Sequence, residues 1–239
     1  MADNDFPMRI NKYLAREGVA SRREVDTLID SGKVLINGKK AVLGQKVEQH
    51  DTVEVVGKTK AKKYLAYYKG RGIITHSPAA DEIDVATRLK VDYSITDVYP
   101  VGRLDKDSEG LLILTNDGRI TGPLLDPTSD HEKEYDIQVD KPVTNFLLNN
   151  IKKGVRIERY TTKPAKAEKH PTNQNRLTIT LTEGKKHQIR RMCAALGFQV
   201  QSLKRVRIVN VTLEKLKPNQ YRKIEGTELR NFLAELGIS

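Results

Sequence analysis

The run Leu111-Leu112-Ile113-Leu114 constrains this chain more than any other stretch. Four consecutive large aliphatic side chains cannot alternate between core and water. They fit a strand that is buried on both faces. Ahead of them, Val98 to Val101 reads as a short strand that enters a charged loop, Gly102-Arg103-Leu104-Asp105-Lys106-Asp107-Ser108-Glu109-Gly110. The two bracketing glycines permit tight or positive-φ backbone. A polar loop pinned between core strands is a common way to hold a reactive side chain still. By spacing alone the loop can equally be a solvated, self-neutralising turn. After the run, Asn116-Asp117-Gly118 is expected to turn the chain back.

The 239 residues suffice for one large domain, or for a small and a medium one. Lys and Arg number 42 against 31 Asp and Glu, a net charge of +11. A polyanion, nucleic acid above all, is the natural partner of such a surface, with a merely basic surface as the alternative. The single cysteine, Cys193, excludes an internal disulfide and fits a reducing cytoplasmic setting. Residues 1–5 lack the basic segment and apolar run of a signal peptide. No apolar stretch approaches membrane-spanning length. The five histidines are scattered and have no cysteine partners, which argues against a structural zinc site.

In chain order, residues 8–56 read as a small basic module. Ile10, Tyr13 and Leu14 recur at helical spacing, with Arg9, Lys12 and Arg16 on the other faces. Ser21 and Glu24 form a capping box, and Val25, Leu28 and Ile29 supply the next helix's apolar stripe. Gly32 closes that helix. Val34–Ile36 is a predicted strand, Asn37-Gly38 a hairpin turn, and Val47 and Val53–Val55 further strand material. Arg22 and Arg23 stand beside a helix N-terminus, with Lys12, Lys33 and Lys39 nearby; they can contact phosphate or simply be solvated. Residues 57–63 are basic and carry no large apolar side chain, so they read as a linker. Residues 64–239 then form the larger unit.

Within it, Tyr135, Ile137 and Val139 share one strand face, opposite Glu134, Asp136 and Gln138. Tyr135 can be an ordinary core tyrosine or a functional one. Residues 163–175, with Pro164 and Pro171, read as a loop, and Leu177, Ile179 and Leu181 as a half-buried strand. Ile189, Met192, Cys193 and Leu196 stripe a helix on which Arg190 sits at the boundary, able either to reach a buried carboxylate or to snorkel. Arg205 and Arg207 suit a phosphate-facing edge or a solvated one. Leu229, Phe232, Leu233 and Leu236 mark a terminal helix that docks on the sheet.

Gly102-Arg103-Leu104-Asp105 followed by Asp107–Gly118 closely resembles the catalytic segment of the pseudouridine synthases of the RsuA family. Arg9–Ala15, Gly18–Glu24 and Gly32–Gly38 resemble the S4 RNA-binding domain. Lys133-Glu134-Tyr135 and His187-Gln188-Ile189-Arg190-Arg191-Met192 are similar to two further family motifs. The resemblance implies an α+β chain: a small S4 domain (8–56), a basic linker (57–63) and a catalytic domain (64–239). The catalytic domain should carry a mixed, mainly antiparallel sheet with flanking helices. It implies a uridine-to-pseudouridine isomerase in which Asp105 is essential, Arg190 pairs with it and Tyr135 stacks on the flipped-out base. Arg103, Lys133, His187, Gln188 and Arg191 would contact the substrate. Arg9, Lys12, Ser21, Arg22, Arg23, Lys33 and Asn37 would contact RNA. No group or electron enters or leaves in this reaction, so neither cofactor nor metal is implied.

Asp130–Tyr135 and Thr161–Pro164 look most like the branch that modifies 23S rRNA near the peptidyl-transferase centre, the RluF type. A 16S rRNA or tRNA target stays open, as does a non-catalytic RNA-binding assembly factor. An S4-bearing methyltransferase would want a glycine-rich cofactor loop, and none is seen. A cytoplasmic monomer acting on ribosomal RNA is the expectation.

Overall fold

The computed structural model describes residues 6–57, 61–76, 78–79 and 82–238. Part of the expected linker, 58–60, and residues 1–5 and Ser77 therefore lie outside the described residues.

The first elements are β1 (Met8–Arg9), α1 (Ile10–Arg16), α2 (Arg22–Asp30), β2 (Val34–Ile36), β3 (Lys39–Lys40), β4 (Lys46–Val47) and β5 (Val53–Val55). The capping box at Ser21 forms in full: its hydroxyl accepts from the Glu24 amide, and the Glu24 carboxylate accepts from the Ser21 amide. Asn37 and Gly38 both take positive φ, 51° and 75°, and close the β2–β3 hairpin. Ile10, Leu14, Val25, Ile29, Val34, Ile36, Ala41 and Val47 pack as a separate small core.

The remaining elements are β6 (Tyr64–Lys69), α3 (Val85–Tyr93), β7 (Tyr99–Val101), β8 (Glu109–Thr115), a 3-10 turn (Gly118–Ile120), α4 (Thr121–Leu125), β9 (Lys133–Val139), α5 (Asn145–Lys153), β10 (Arg156–Ile157), β11 (Tyr160–Thr161), β12 (Lys166–Lys169), β13 (Arg176–Leu181), α6 (Gln188–Ala195), β14 (Val200–Ile208), β15 (Val211–Thr212), β16 (Tyr221–Lys223) and α7 (Gly226–Glu235). The large sheet runs β12-β13-β9-β14-β8-β6-β16, with β15 paired to β14 and β7 to β8. Only the β14–β8 pair is parallel, so the sheet is mixed and mainly antiparallel, as expected.

Strand β8 lies near the middle of the sheet and is buried on both faces, as its aliphatic run requires. Leu112 and Leu114 join Leu65, Tyr67, Tyr135, Ile137, Leu177 and Ile179 under α3, α5 and α6. Leu111 and Ile113 join Tyr64, Ala66, Tyr68 and Ile208 under α4 and α7, where Phe232 and Leu236 seal the opposite face. Gly110 makes the β14 crossing possible. A Cβ there would lie 2.3 Å from the Arg205 carbonyl oxygen, and its φ is +111°.

Two expectations need correction. Asn116-Asp117-Gly118 does not send the chain back as a hairpin; Asp117 accepts from the Arg119 amide and starts the 3-10 turn that leads into α4. Residues 163–175 are not all loop. Lys166–Lys169 forms the edge strand β12 on β13. Ala167 is its only buried residue, too small to mark a strand in the sequence.

Candidate active site

Asp105 sits in the loop that joins β7 to β8, and groups far away in sequence fix that loop. The Thr75 hydroxyl donates to the Leu104 carbonyl at 2.7 Å and accepts from the Leu104 amide at 3.0 Å. The Gly72 amide donates to the Lys106 carbonyl at 2.8 Å. Arg71 reaches the Asp107 carbonyl at 3.2 Å. Leu104 plugs the loop into the core cluster that also holds Tyr135. The carboxylate itself stays accessible, with its side chain 37% exposed. A fixed backbone under an open carboxylate is the arrangement a nucleophile or base requires.

Three cations lie on the sheet face that carries Tyr135. Lys69 continues the Leu65, Tyr67 side of β6, is fully buried, and donates to the Gly70 and Ile73 carbonyls at 3.0 and 2.8 Å. Burial pulls its ammonium down to about 8, against the pull of Asp105, Asp107 and Glu109 in the other direction. Arg205 stands directly across from Tyr135 in the β14–β9 register and is 4% exposed. Its Nε donates to the Leu111 carbonyl at 2.8 Å and its Nη1 to the Arg103 carbonyl at 3.4 Å, so one side chain grips both flanks of the loop. Its Nη2 is buried without a partner. Lys133, two residues before Tyr135, donates to the His131 carbonyl at 3.1 Å; burial and then Arg205 bring it down to about 8.

Tyr135 itself is 8% exposed, its ring packed in the core cluster. Arg103 is exposed at the rim, where its side chain is open to a ligand.

Arg190 is not paired with the Asp105 carboxylate. Its Nη1 donates to the Val200 carbonyl at 3.0 Å, which turns the guanidinium toward the start of β14, and Nη2 lies 3.5 Å from the Asp107 carbonyl. It therefore touches the backbone of the loop. The group facing Asp105 is His187, with Nε2 3.4 Å from Oδ1. His187 is exposed and takes a left-handed φ of +52° just before α6.

Several other expected contacts are already engaged. Gln188 is buried; its amide nitrogen donates to Glu183 and its oxygen accepts from the Lys185 amide, so it braces the turn before α6 and does not face a ligand. Arg191 pairs with Glu158 at 3.1 Å and lies over the Tyr160 ring. The Asn37 side chain bridges Asp51 and the Thr52 amide, and the Ser21 hydroxyl belongs to its capping box. Arg9, Lys12, Arg22, Arg23 and Lys33 are exposed. Arg207, read as part of a phosphate-facing or solvated edge, is held by Glu132 and Glu134 at 2.9 Å each.

The sequence reading missed Lys69 and the burial of Arg205. A lysine after five apolar residues, Tyr64–Tyr68, was the available signal for the first. For the second it was Arg205 two residues after the buried Leu203, which puts both on one face. Among the described residues, no group of three or more His, Cys, Asp or Glu is placed to hold a metal ion, and no helix is long and apolar enough to cross a membrane. A cavity of about 360 Å³ lies at the junction of the two units, lined by Gly18, Leu28, Lys33, Lys62 and Asn116 among others; none of Asp105, Tyr135 and Arg190 reaches it.

A pinned aspartate loop on a mixed sheet, with a separate basic module in front, fits the RNA-modifying isomerase that the sequence resemblance implies. The sequence profile of the RNA pseudouridylate synthase family matches residues 63–195, and that of the S4 domain matches residues 8–53. The chain belongs to the RNA pseudouridine synthases and carries an S4 domain ahead of the catalytic one. It is 38% identical over 231 residues to the dual-specificity RNA pseudouridine synthase RluF of Escherichia coli (strain K12), across 94% of this chain and 78% of that protein. It is 35% identical over 237 residues to the ribosomal large subunit pseudouridine synthase B of Bacillus subtilis (strain 168), across 95% and 96% of the two chains. A crystal structure of a pseudouridylate synthase superposes with a TM-score of 0.69 at 28% identity, covering 96% of this chain and 99% of that one.

Proposed function

We propose that this synthase isomerises a uridine of ribosomal RNA, and of 23S rRNA near the peptidyl-transferase centre in particular. The similarity to RluF, together with that to a large-subunit synthase, supports this choice of RNA. The observation that carries the chemistry is the Asp105 loop: an accessible carboxylate on a backbone held by Thr75, Gly72, Arg71 and Arg205.

The reaction breaks the bond between C1′ and N1, turns the uracil, and forms a bond between C1′ and C5. The C5 proton leaves and N1 gains one, so atoms and electrons balance without a co-reactant. The target nucleotide is flipped out of its helix to expose the sugar. Asp105 then acts in one of two ways. It attacks C1′ as a nucleophile, or it takes the C2′ proton to give a glycal. Tyr135 stacks on the base and assists removal of the C5 proton. His187 faces Asp105 at the mouth of the site, where Arg103 and Lys133 meet the flipped nucleotide or its phosphate. Arg190 supports the loop through Asp107.

In this reading residues 8–56 bind RNA through Arg9, Lys12, Arg22, Arg23 and Lys33, residues 57–63 link, and residues 64–239 catalyse. The enzyme works as a monomer in the cytoplasm, where its RNA substrate is. Pseudouridine mapping of RNA from cells lacking the protein tests the substrate. Loss of a pseudouridine in 23S rRNA near the peptidyl-transferase centre is the expected result. Loss confined to 16S rRNA or tRNA would overturn it.

A further inference from the structure

We propose that the turn Asn116–Arg119 is a mount that fixes the S4 module relative to the Asp105 loop, and so determines which uridine of a large RNA reaches the catalytic site. The proposal rests on the rRNA reading above and adds a specificity element to it.

Immediately after the aliphatic run of β8 come Thr115, Asn116 and Asp117, three polar residues that are 0%, 7% and 0% exposed. Buried polar groups need partners, and these find them in the end of the linker. The Thr115 hydroxyl donates to the Lys63 carbonyl at 2.6 Å. The Asn116 side chain accepts from the Lys63 amide at 2.8 Å and donates to the Ala61 carbonyl at 3.0 Å. Asp117 accepts from the Tyr64 hydroxyl and from the Arg119 guanidinium, and Lys62 stands 3.8 Å away. Burial opposes the charge on Asp117, but the bonds from Arg119 and Tyr64 outweigh it and hold its carboxyl below the ordinary range. The chain from Ala61 to Tyr64 is thus caught at every residue.

The same turn touches the S4 module. A Cβ on Gly118 would lie 2.8 Å from the Ala15 carbonyl oxygen in α1, and a Cβ on Gly18 would lie 2.7 Å from the Arg119 side chain. At Gly118 the neighbour is backbone, so contact this close leaves no room for a side chain there; at Gly18 the neighbours are the Arg119 and Lys62 side chains. Strand β8 joins the two sites. The Asp105 loop enters its first residue, Glu109, and the mount follows directly on its last, Thr115. At about 3.3 Å per residue the strand spans roughly 20 Å. Its neighbours β6, β7 and β14 hold it in the sheet. RNA gripped by the S4 module therefore meets Asp105 at a fixed offset.

The test uses the full chain with Gly118→Val, which forces the turn away from Ala15, and Asn116→Ala, which releases Ala61 and Lys63. Each is assayed on a whole 23S rRNA transcript and on a short stem-loop carrying only the mapped uridine. The mount predicts a fall in kcat/KM of about tenfold or more on the long RNA, because the two binding contributions no longer add. Pseudouridine should also appear at neighbouring uridines, and turnover of the stem-loop should stay within about twofold of wild type. An equal fall on both RNAs would make the turn a support of the fold alone and overturn the proposal. Unchanged rate and position on the long RNA in both variants would also overturn it. Should Gly118→Val fail to fold, Asn116→Ala carries the same test. A wild-type enzyme silent on both RNAs would instead overturn the rRNA reading itself.

Discussion

The Asp105 loop and the S4 surface are both rich in charge, yet they are built in opposite ways. In the S4 module Arg9, Lys12, Arg22, Arg23 and Lys33 project into solvent from short elements whose own residues form the core beneath them. At the Asp105 loop the decisive cations are inside. Lys69 is fully buried and Arg205 nearly so, and both grip main-chain carbonyls. Attraction of a polyanion needs only exposed charge and falls with salt. In the proposed reaction, bond rearrangement at C1′ needs one carboxylate held within a fraction of an ångström. The comparison predicts that damage to the first region is recovered by more RNA, and damage to the second is not.

The largest effect should come from Asp105→Asn. The amide keeps the size and some hydrogen bonds but is neither nucleophile nor base. Product formation should fall by at least about two to four powers of ten, with RNA binding near wild type. Asp107→Asn should retain most activity, since the groups that reach Asp107 use its carbonyl oxygen. A dead Asp107→Asn with an active Asp105→Asn would reverse the assignment.

Arg205→Met comes next. It removes the grip on Leu111 and Arg103 while keeping an apolar stem of similar length in the core. A loosened loop should lower kcat by about a hundredfold, with KM little changed. A mainly raised KM would place Arg205 in RNA binding instead. On the S4 side, the double change Arg22→Ala and Arg23→Ala should weaken binding and reduce the slope of log affinity against log salt by roughly 1.4–1.8. An unchanged slope would show that neither arginine meets phosphate. The smallest effect is local: Ser21→Ala loses the α2 cap and should lower stability by about 1 kcal/mol, read by denaturant melts, with turnover intact.

How much of this was legible in the sequence follows the same division. The aliphatic run of β8, the Ser21 capping box and the Asn37-Gly38 hairpin are local patterns, and each formed where the sequence placed it. Asp105 and Tyr135 stood out through their motifs. The surroundings of Asp105 did not, because Lys69, Thr75 and Arg205 reach the loop from three places in the chain. Periodicity carries no information about such convergence. Arg190 shows the limit from the other side. Its place at the edge of the α6 stripe was correct, yet the Val200 carbonyl claims its Nη1 and leaves His187 facing Asp105. Strand β12 escaped because Ala167 is its only buried side chain.

The central claim is that chemistry resides in the Asp105 loop and affinity in the S4 surface. Single-turnover tritium release from C5-labelled uridine in the rRNA substrate tests it most directly. Wild type, Asp105→Asn and the Arg22→Ala, Arg23→Ala double variant are compared at saturating RNA. The account predicts release at the wild-type rate from the double variant and none above background from Asp105→Asn. Release from Asp105→Asn at the wild-type rate, or a double variant that stays slow however much RNA is added, would contradict it.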